Sequence, residues 1–218
     1  MLGELVPLAL VVALSPVSIV PAVVLVLHTD HPKPTGLAFM TGWLVGLAVL
    51  TAVFVQVPHL IDGLGRESPT WAPVLRIAVG VLLIALGAGR WVTRKRESRP
   101  PAFLNRLGRI RPVGAGLIGF GLVVANPKVV VMNAAAGLII GTAATGIGGW
   151  LAVAFYTALA GSTVIAPVLA YLVAGERVDG QLERVRDWMQ REHATVTAAI
   201  LVVVGILLAY TGIRALSV

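Results

Sequence analysis

Cysteine is missing from all 218 residues. Structural disulfides, thiolate metal sites and thiol-based electron carriers are excluded with it. Charge is scarce as well. Asp, Glu, Lys and Arg make up 12% of the chain, against about 25% in a soluble domain. Inside the apolar runs acidic residues are rarer still, and Glu4, near the outer end of the first run, comes closest. Buried carboxylates compensate a metal cation or a basic amino acid in transit, and proton coupling uses them too. Their scarcity argues against such cargoes. No Walker motif, no Gly-rich loop after a strand and no hydrolytic triad is visible. No paired acid and base points to an enzyme, and no motif calls for a metal or cofactor.

What remains is apolar. Hydrophobic residues make up 57% of the chain, and the mean hydropathy is +0.91. Runs at roughly 5–27, 36–57, 72–92, 113–141, 146–174 and 194–216 are each long enough to cross a hydrocarbon core about 30 Å thick. The expected fold is all-α: a polytopic membrane protein of six transmembrane helices. The fourth and fifth runs exceed the need, so tilt or a break is expected there. Glu4 and the absence of Lys or Arg ahead of the first run mark it as a span, not a secretory leader.

The formal net charge is +7, and its distribution explains it without nucleic acid. Lys33 follows the first span. Arg90, Arg94, Lys95, Arg96, Arg99, Arg106, Arg109 and Arg111 follow the third, and Arg177, Arg184, Arg186 and Arg191 follow the fifth. The opposite side holds Arg66 and Arg214. Basic loops stay cytoplasmic, so a multi-pass protein of the inner (plasma) membrane with both termini outside the cytoplasm is expected. Two of the basic segments are amphipathic. Phe103, Leu107 and Ile110 share a face in 102–111, and Val178, Leu182, Val185 and Met189 do so in 176–191. They read equally well as helices on an anionic lipid surface and as solvated loops.

The two halves resemble each other. Ser15-Pro16 falls within the first span and Asn126-Pro127 within the fourth. Gly80-Val81-Leu82-Leu83 with Gly87 in the third span matches Gly205-Ile206-Leu207-Leu208 with Gly212 in the sixth. Three spans per half would invert the second half, which is the plan of many secondary transporters. The expected organisation is a first three-helix repeat over 1–92, a basic cytoplasmic loop over 93–112 and a second repeat over 113–218.

Chemistry is expected at the breaks. Proline removes a backbone donor and frees a carbonyl one turn earlier, and within a membrane freed groups need a partner. Pro16, Pro21 and Pro127 are expected to interrupt their helices. Lys128 follows Pro127 directly, and a lysine inside a span is costly. Asn126 and Asn133 flank it, making a cationic, hydrogen-bonding floor for an anion. Arg76, near the outer face, either snorkels or meets an anionic headgroup. The polar lining expected is Ser15, Ser18, Thr41, Gln56, Asn126, Lys128, Asn133, Tyr156, Thr157, Ser162 and Thr163, which suits neutral, hydroxylated or anionic cargo. His28, Asp30 and His31 read as a Pro-rich surface turn ahead of a metal site. Gly42 with Gly46 reads as a helix-packing surface.

The run Leu14-Ser15-Pro16-Val17-Ser18-Ile19-Val20-Pro21, then Gly36-Leu37-Ala38-Phe39-Met40-Thr41-Gly42-Trp43, resembles the start of the peptidoglycolipid-addressing (GAP, or Sap-like) family of the lysine-exporter superfamily. Asn126-Pro127-Lys128 is similar to that superfamily's Asn-Pro-Lys signature. The resemblance implies movement of envelope glycolipids towards the surface of actinobacteria, beside a larger lipid exporter. The scarcity of buried carboxylates departs from the cation-exporting branches. The leading expectation is a carrier or flippase for an anionic or sugar-bearing lipid, with membrane lipids as partners and a homo-oligomer left open. Its substrate-binding set is Ser15, Pro16, Ser18, Asn126, Pro127, Lys128, Asn133 and Arg76. The alternatives are an exporter of a small solute such as an amino acid, and a non-transporting accessory subunit.

Overall fold

Prolines that cannot continue a helix can begin one, and among the described residues four helices start on proline. The N1 position has no intrahelical use for an N–H, and the fixed proline φ suits it. The computed structural model describes residues 2–62, 110–144 and 146–187, with positions 77, 78, 81, 84, 85, 88, 202, 205, 206 and 213. In chain order the helices are α1 (Leu2–Ala13), α2 (Pro16–His28), α3 (Pro32–Asp62), α4 (Pro112–Ala125), α5 (Pro127–Ala143) and α6 (Ile147–Ala174). A 3₁₀ turn, Gly175–Val178, follows, and helix continues from there over 179–187. No strand occurs among the described residues.

The helices fit the apolar runs. α3 contains a span-length apolar helix over Pro32–Pro58, and a second runs over Ile147–Asp187. The first and fourth runs are each a bent pair. α1 meets α2 at 50°, and α4 meets α5 at 73°. The breaks fall at Ser15-Pro16 and Asn126-Pro127 as expected. Counting each bent pair as one span gives up to four spans among the described residues. The third and sixth expected spans lie mostly outside those residues, although positions 77, 78, 81, 84, 85, 88, 202, 205, 206 and 213 are helical. Arg76 and most of the 102–111 segment lie outside them too.

One expectation needs correcting. Pro21 does not interrupt its helix but sits within α2. It is five residues past the new start at Pro16, so the only acceptor it frees is the Val17 carbonyl in the first turn. Helix hydrogen bonding resumes beyond it.

α3 is the central strut, packed on α4, α5 and α6, while α1 and α2 pack on α6. The contacts also fix direction. Ala38 meets Gly116, Trp43 meets Gly119, Gly46 meets Val123, and Val55 meets Gly141. Both numbers rise together, so α3 runs parallel to the broken α4–α5 span. Against α6 the numbers run opposite ways, with Gly36 beside Val168 and Gly161 beside Leu44. Thr163 of α6 meets Ala13 of α1. Each bent span is thus seated against a long helix from the other half of the chain.

Lipid tails are as apolar as leucine, so close packing rather than water exclusion holds such helices together. The α3–α4 seam achieves it with glycine. A Cβ on Gly42 would run into the carbonyl of Gly116, and one on Gly119 would run into the carbonyl of Phe39. Phe39 and Trp43 stack there with ring centroids 6.1 Å apart, and both are fully buried. Val45, Val49 and Val53 lie exposed along α3, and Val113, Leu117 and Val124 along α4. An exposed aliphatic stripe is what a lipid-facing surface requires.

Candidate functional site: the two helix breaks

The first break is closed by the protein itself. Pro16 has no N–H to give the Val12 carbonyl, so that carbonyl accepts the Ser15 N–H at 3.2 Å in a tighter turn. The Ser18 hydroxyl reaches back to the carbonyl of Ser15 and lies 3.2 Å from that of Ala13. Ala13 also accepts the Thr163 hydroxyl from α6. Ser15 and Ser18 are both buried. Ser18, expected to bind substrate, spends its only hydrogen on these backbone oxygens.

The second break is built differently. Asn126 is the N-cap of α5, and its side-chain oxygen accepts the Lys128 backbone N–H at 3.1 Å. Asn before Pro serves both needs of a helix start, a capping acceptor and a residue that needs no N–H. Pro127 is exposed and Lys128 half-buried. Asn133, two turns on, is fully buried. Its amide donates to the Val129 carbonyl at 2.7 Å, and its oxygen accepts the Thr51 hydroxyl from α3 at 2.7 Å. Asn133 therefore anchors α5 to α3.

The second break is short of negative charge in its first helical turn. The first turn of a helix carries partial positive charge. α5 has no acidic residue there and places Lys128 in that turn, the unfavourable sign. α2 likewise begins without an acidic residue in its first turn. Each break thus places a half-helix N-terminus within the apolar body, and the second adds Lys128 to it.

The expected lining divides. Thr41 and Gln56 are exposed on the outside of α3, and Thr41 bonds the Ala38 carbonyl at 2.9 Å. Tyr156 and Thr157 are buried on α6, and their hydroxyls have no hydrogen-bond partner among the described residues. Ser162 and Thr163 are half-buried.

His28 ends α2, and Asp30 and His31 fall in the turn joining α2 to α3. Asp30 and His31, with Lys33, Tyr171 and Glu176, edge an open surface hollow of about 390 Å³. Among the described residues no three His, Asp or Glu side chains come together to hold a metal ion.

Neither a curated protein nor a solved structure matches the chain. Its membrane-spanning helices, its two broken spans and a family-model match over residues 5–214 agree. This protein belongs to the family described as Sap, sulfolipid-1-addressing protein, and its role is tied to a membrane lipid.

Proposed function

We propose that the protein is a carrier or flippase that moves an anionic, sugar-bearing envelope lipid towards the cell surface. The observation that carries this reading is the second break. There a half-helix N-terminus and Lys128 sit together within an apolar body. A sulfate or phosphate headgroup is the natural counter-charge for that field. The sulfolipid in the family description has the same chemistry. Acyl chains would stay in the bilayer against the exposed aliphatic faces of α3 and α4.

The inverted repeat is part of the proposal. It is supported by the exchange in which α3 seats the fourth span and α6 seats the first. The parallel course of α3 and α4 supports the third span over 72–92 as part of the same proposal. Placement in the inner membrane with both termini outside, and kinship with the lysine-exporter superfamily, belong to the same reading. Ser15, Pro16, Ser18, Asn126, Pro127 and Asn133 then shape the breaks, while Lys128 meets the headgroup and Arg76 receives it at the outer side.

One observation favours the accessory-subunit reading. Ser18, Asn126 and Asn133 all have partners within the protein. Native mass spectrometry of the purified protein separates the two. A carrier retains a specific anionic glycolipid that Lys128→Ala loses. A scaffold retains bulk phospholipid equally in both and copurifies with a larger exporter.

A further inference from the structure

We infer that Tyr156 and Thr157 form a second, uncharged recognition element at the level of the Lys128 break, and that it takes the hydroxyl groups of a sugar headgroup. The inference rests on the lipid-carrier reading and adds a division of labour to it, with charge read at Lys128 and hydroxyls read from α6.

The placement follows from register. Leu44 of α3 meets Gly161 of α6, and Gly36 meets Val168 in the same antiparallel pairing. Advancing along α3 to Thr51 therefore moves back along α6 to about residue 154. At 1.5 Å per residue, Tyr156 and Thr157 lie within about one turn of Thr51 in height. Thr51 bonds Asn133. Gly46 meets Val123, which puts Asn126 and Lys128 within about a turn of the same height. The second break, the Thr51–Asn133 bond and the Tyr156–Thr157 pair thus occupy one layer near the middle of the 31-residue α3.

The chemistry follows from burial. Tyr156 is fully buried and Thr157 is 8% exposed, yet neither hydroxyl has a hydrogen-bond partner among the described residues. Thr51 and Thr163 bond to protein, whereas the Thr35 hydroxyl and the Trp43 indole N–H, away from this layer on α3, share the unpartnered state among the described residues. A desolvated hydroxyl with no partner is unfavourable, and native interiors rarely keep one without a functional reason. A hydroxyl both donates and accepts. Two of them, uncharged, match the alternating donors and acceptors of a sugar better than they match a phosphate or sulfate, which wants cations.

The test uses proteoliposomes and fluorescent forms of three probe lipids: sulfogalactosylceramide, galactosylceramide and phosphatidic acid. The variants are Tyr156→Phe and Thr157→Val, each close to isosteric. Removing an unpartnered buried hydroxyl leaves thermal stability equal or higher, so a transport defect is not a folding defect. Both variants are expected to raise the half-saturating concentration of the two glycolipids by roughly three- to tenfold. Phosphatidic acid, with no sugar, keeps its wild-type value. Unchanged glycolipid values in both variants, with active wild-type protein, overturn this inference and leave the carrier reading standing. Wild-type protein that moves none of the three lipids overturns the carrier reading and this inference with it.

Discussion

Thr51 and Asn133, 82 positions apart in sequence, are joined by a hydroxyl-to-amide hydrogen bond of 2.7 Å. That bond ties the straight α3 to the second half of the broken fourth span. Asn133 is also held from behind by the Val129 carbonyl, so its orientation is fixed from two sides. Thr51→Val removes the donor and leaves the Asn133 oxygen buried without it. Hydrogen bonds between membrane helices are worth about 0.6 kcal/mol on average and up to about 1.7. A double-mutant cycle of Thr51→Val with Asn133→Ala, read by thermal unfolding in detergent, is expected to give a coupling within that range. A coupling of zero would mean that the bond contributes nothing to seating the span.

The first break predicts redundancy. Ser18 and Thr163 both reach the carbonyl of Ala13. Ser18→Ala or Thr163→Val alone leaves Ala13 one partner, so each single change is mild, on the order of 0.5–1 kcal/mol. The double variant strands the carbonyl, and its loss of stability exceeds the sum of the singles. Strict additivity in melting measurements would show that the two hydroxyls do not share a load.

The glycine seam predicts a contrast. Gly42 has no room for a Cβ against Gly116, whereas a Cβ on Gly121 of α4 meets nothing within 4 Å. Gly42→Ala forces α3 and α4 apart and lowers the melting temperature. Gly121→Ala is neutral or stabilising, because alanine is favoured over glycine in a helix by about 1 kcal/mol. Equal melting temperatures for the two variants would contradict the close approach at Gly42.

The breaks were legible because proline acts locally: its missing N–H and fixed φ act on one turn wherever it falls. The same rule misled at Pro21, where a nearby new helix start absorbs the defect. Asn126 as a cap was legible in principle, since Asn ahead of a helix start is a local signal. The partners of Asn133 and Ser18 were not, because they depend on which helices meet, and hydropathy does not encode that. Gln56 and Thr41 looked like lining because spans usually hide polar groups, yet both face outward on α3. Tyr156 stood unmarked within a polar inventory. Like Thr35 and Thr157, it is buried with a hydroxyl that has no partner among the described residues, which only the packed structure reveals.

The removal of charge at the second break makes a further prediction. Lys128 adds positive charge to a helix end that is already positive. Lys128→Gln removes that charge and keeps a polar side chain of similar length, and its melting temperature is compared with wild type to separate recognition from folding. Retention of an anionic lipid falls in native mass spectra, whereas a neutral lipid is retained as before. Equal retention of the anionic lipid in both proteins would remove Lys128 from recognition.

The most direct measurement is the rate at which a fluorescent sulfated glycolipid crosses the bilayer of proteoliposomes holding the wild-type protein, compared with protein-free vesicles of the same lipids. A carrier gives a saturable rate well above the protein-free one, and Lys128→Ala slows it. Identical rates with and without protein would contradict lipid transport and leave the protein as a partner of some other exporter.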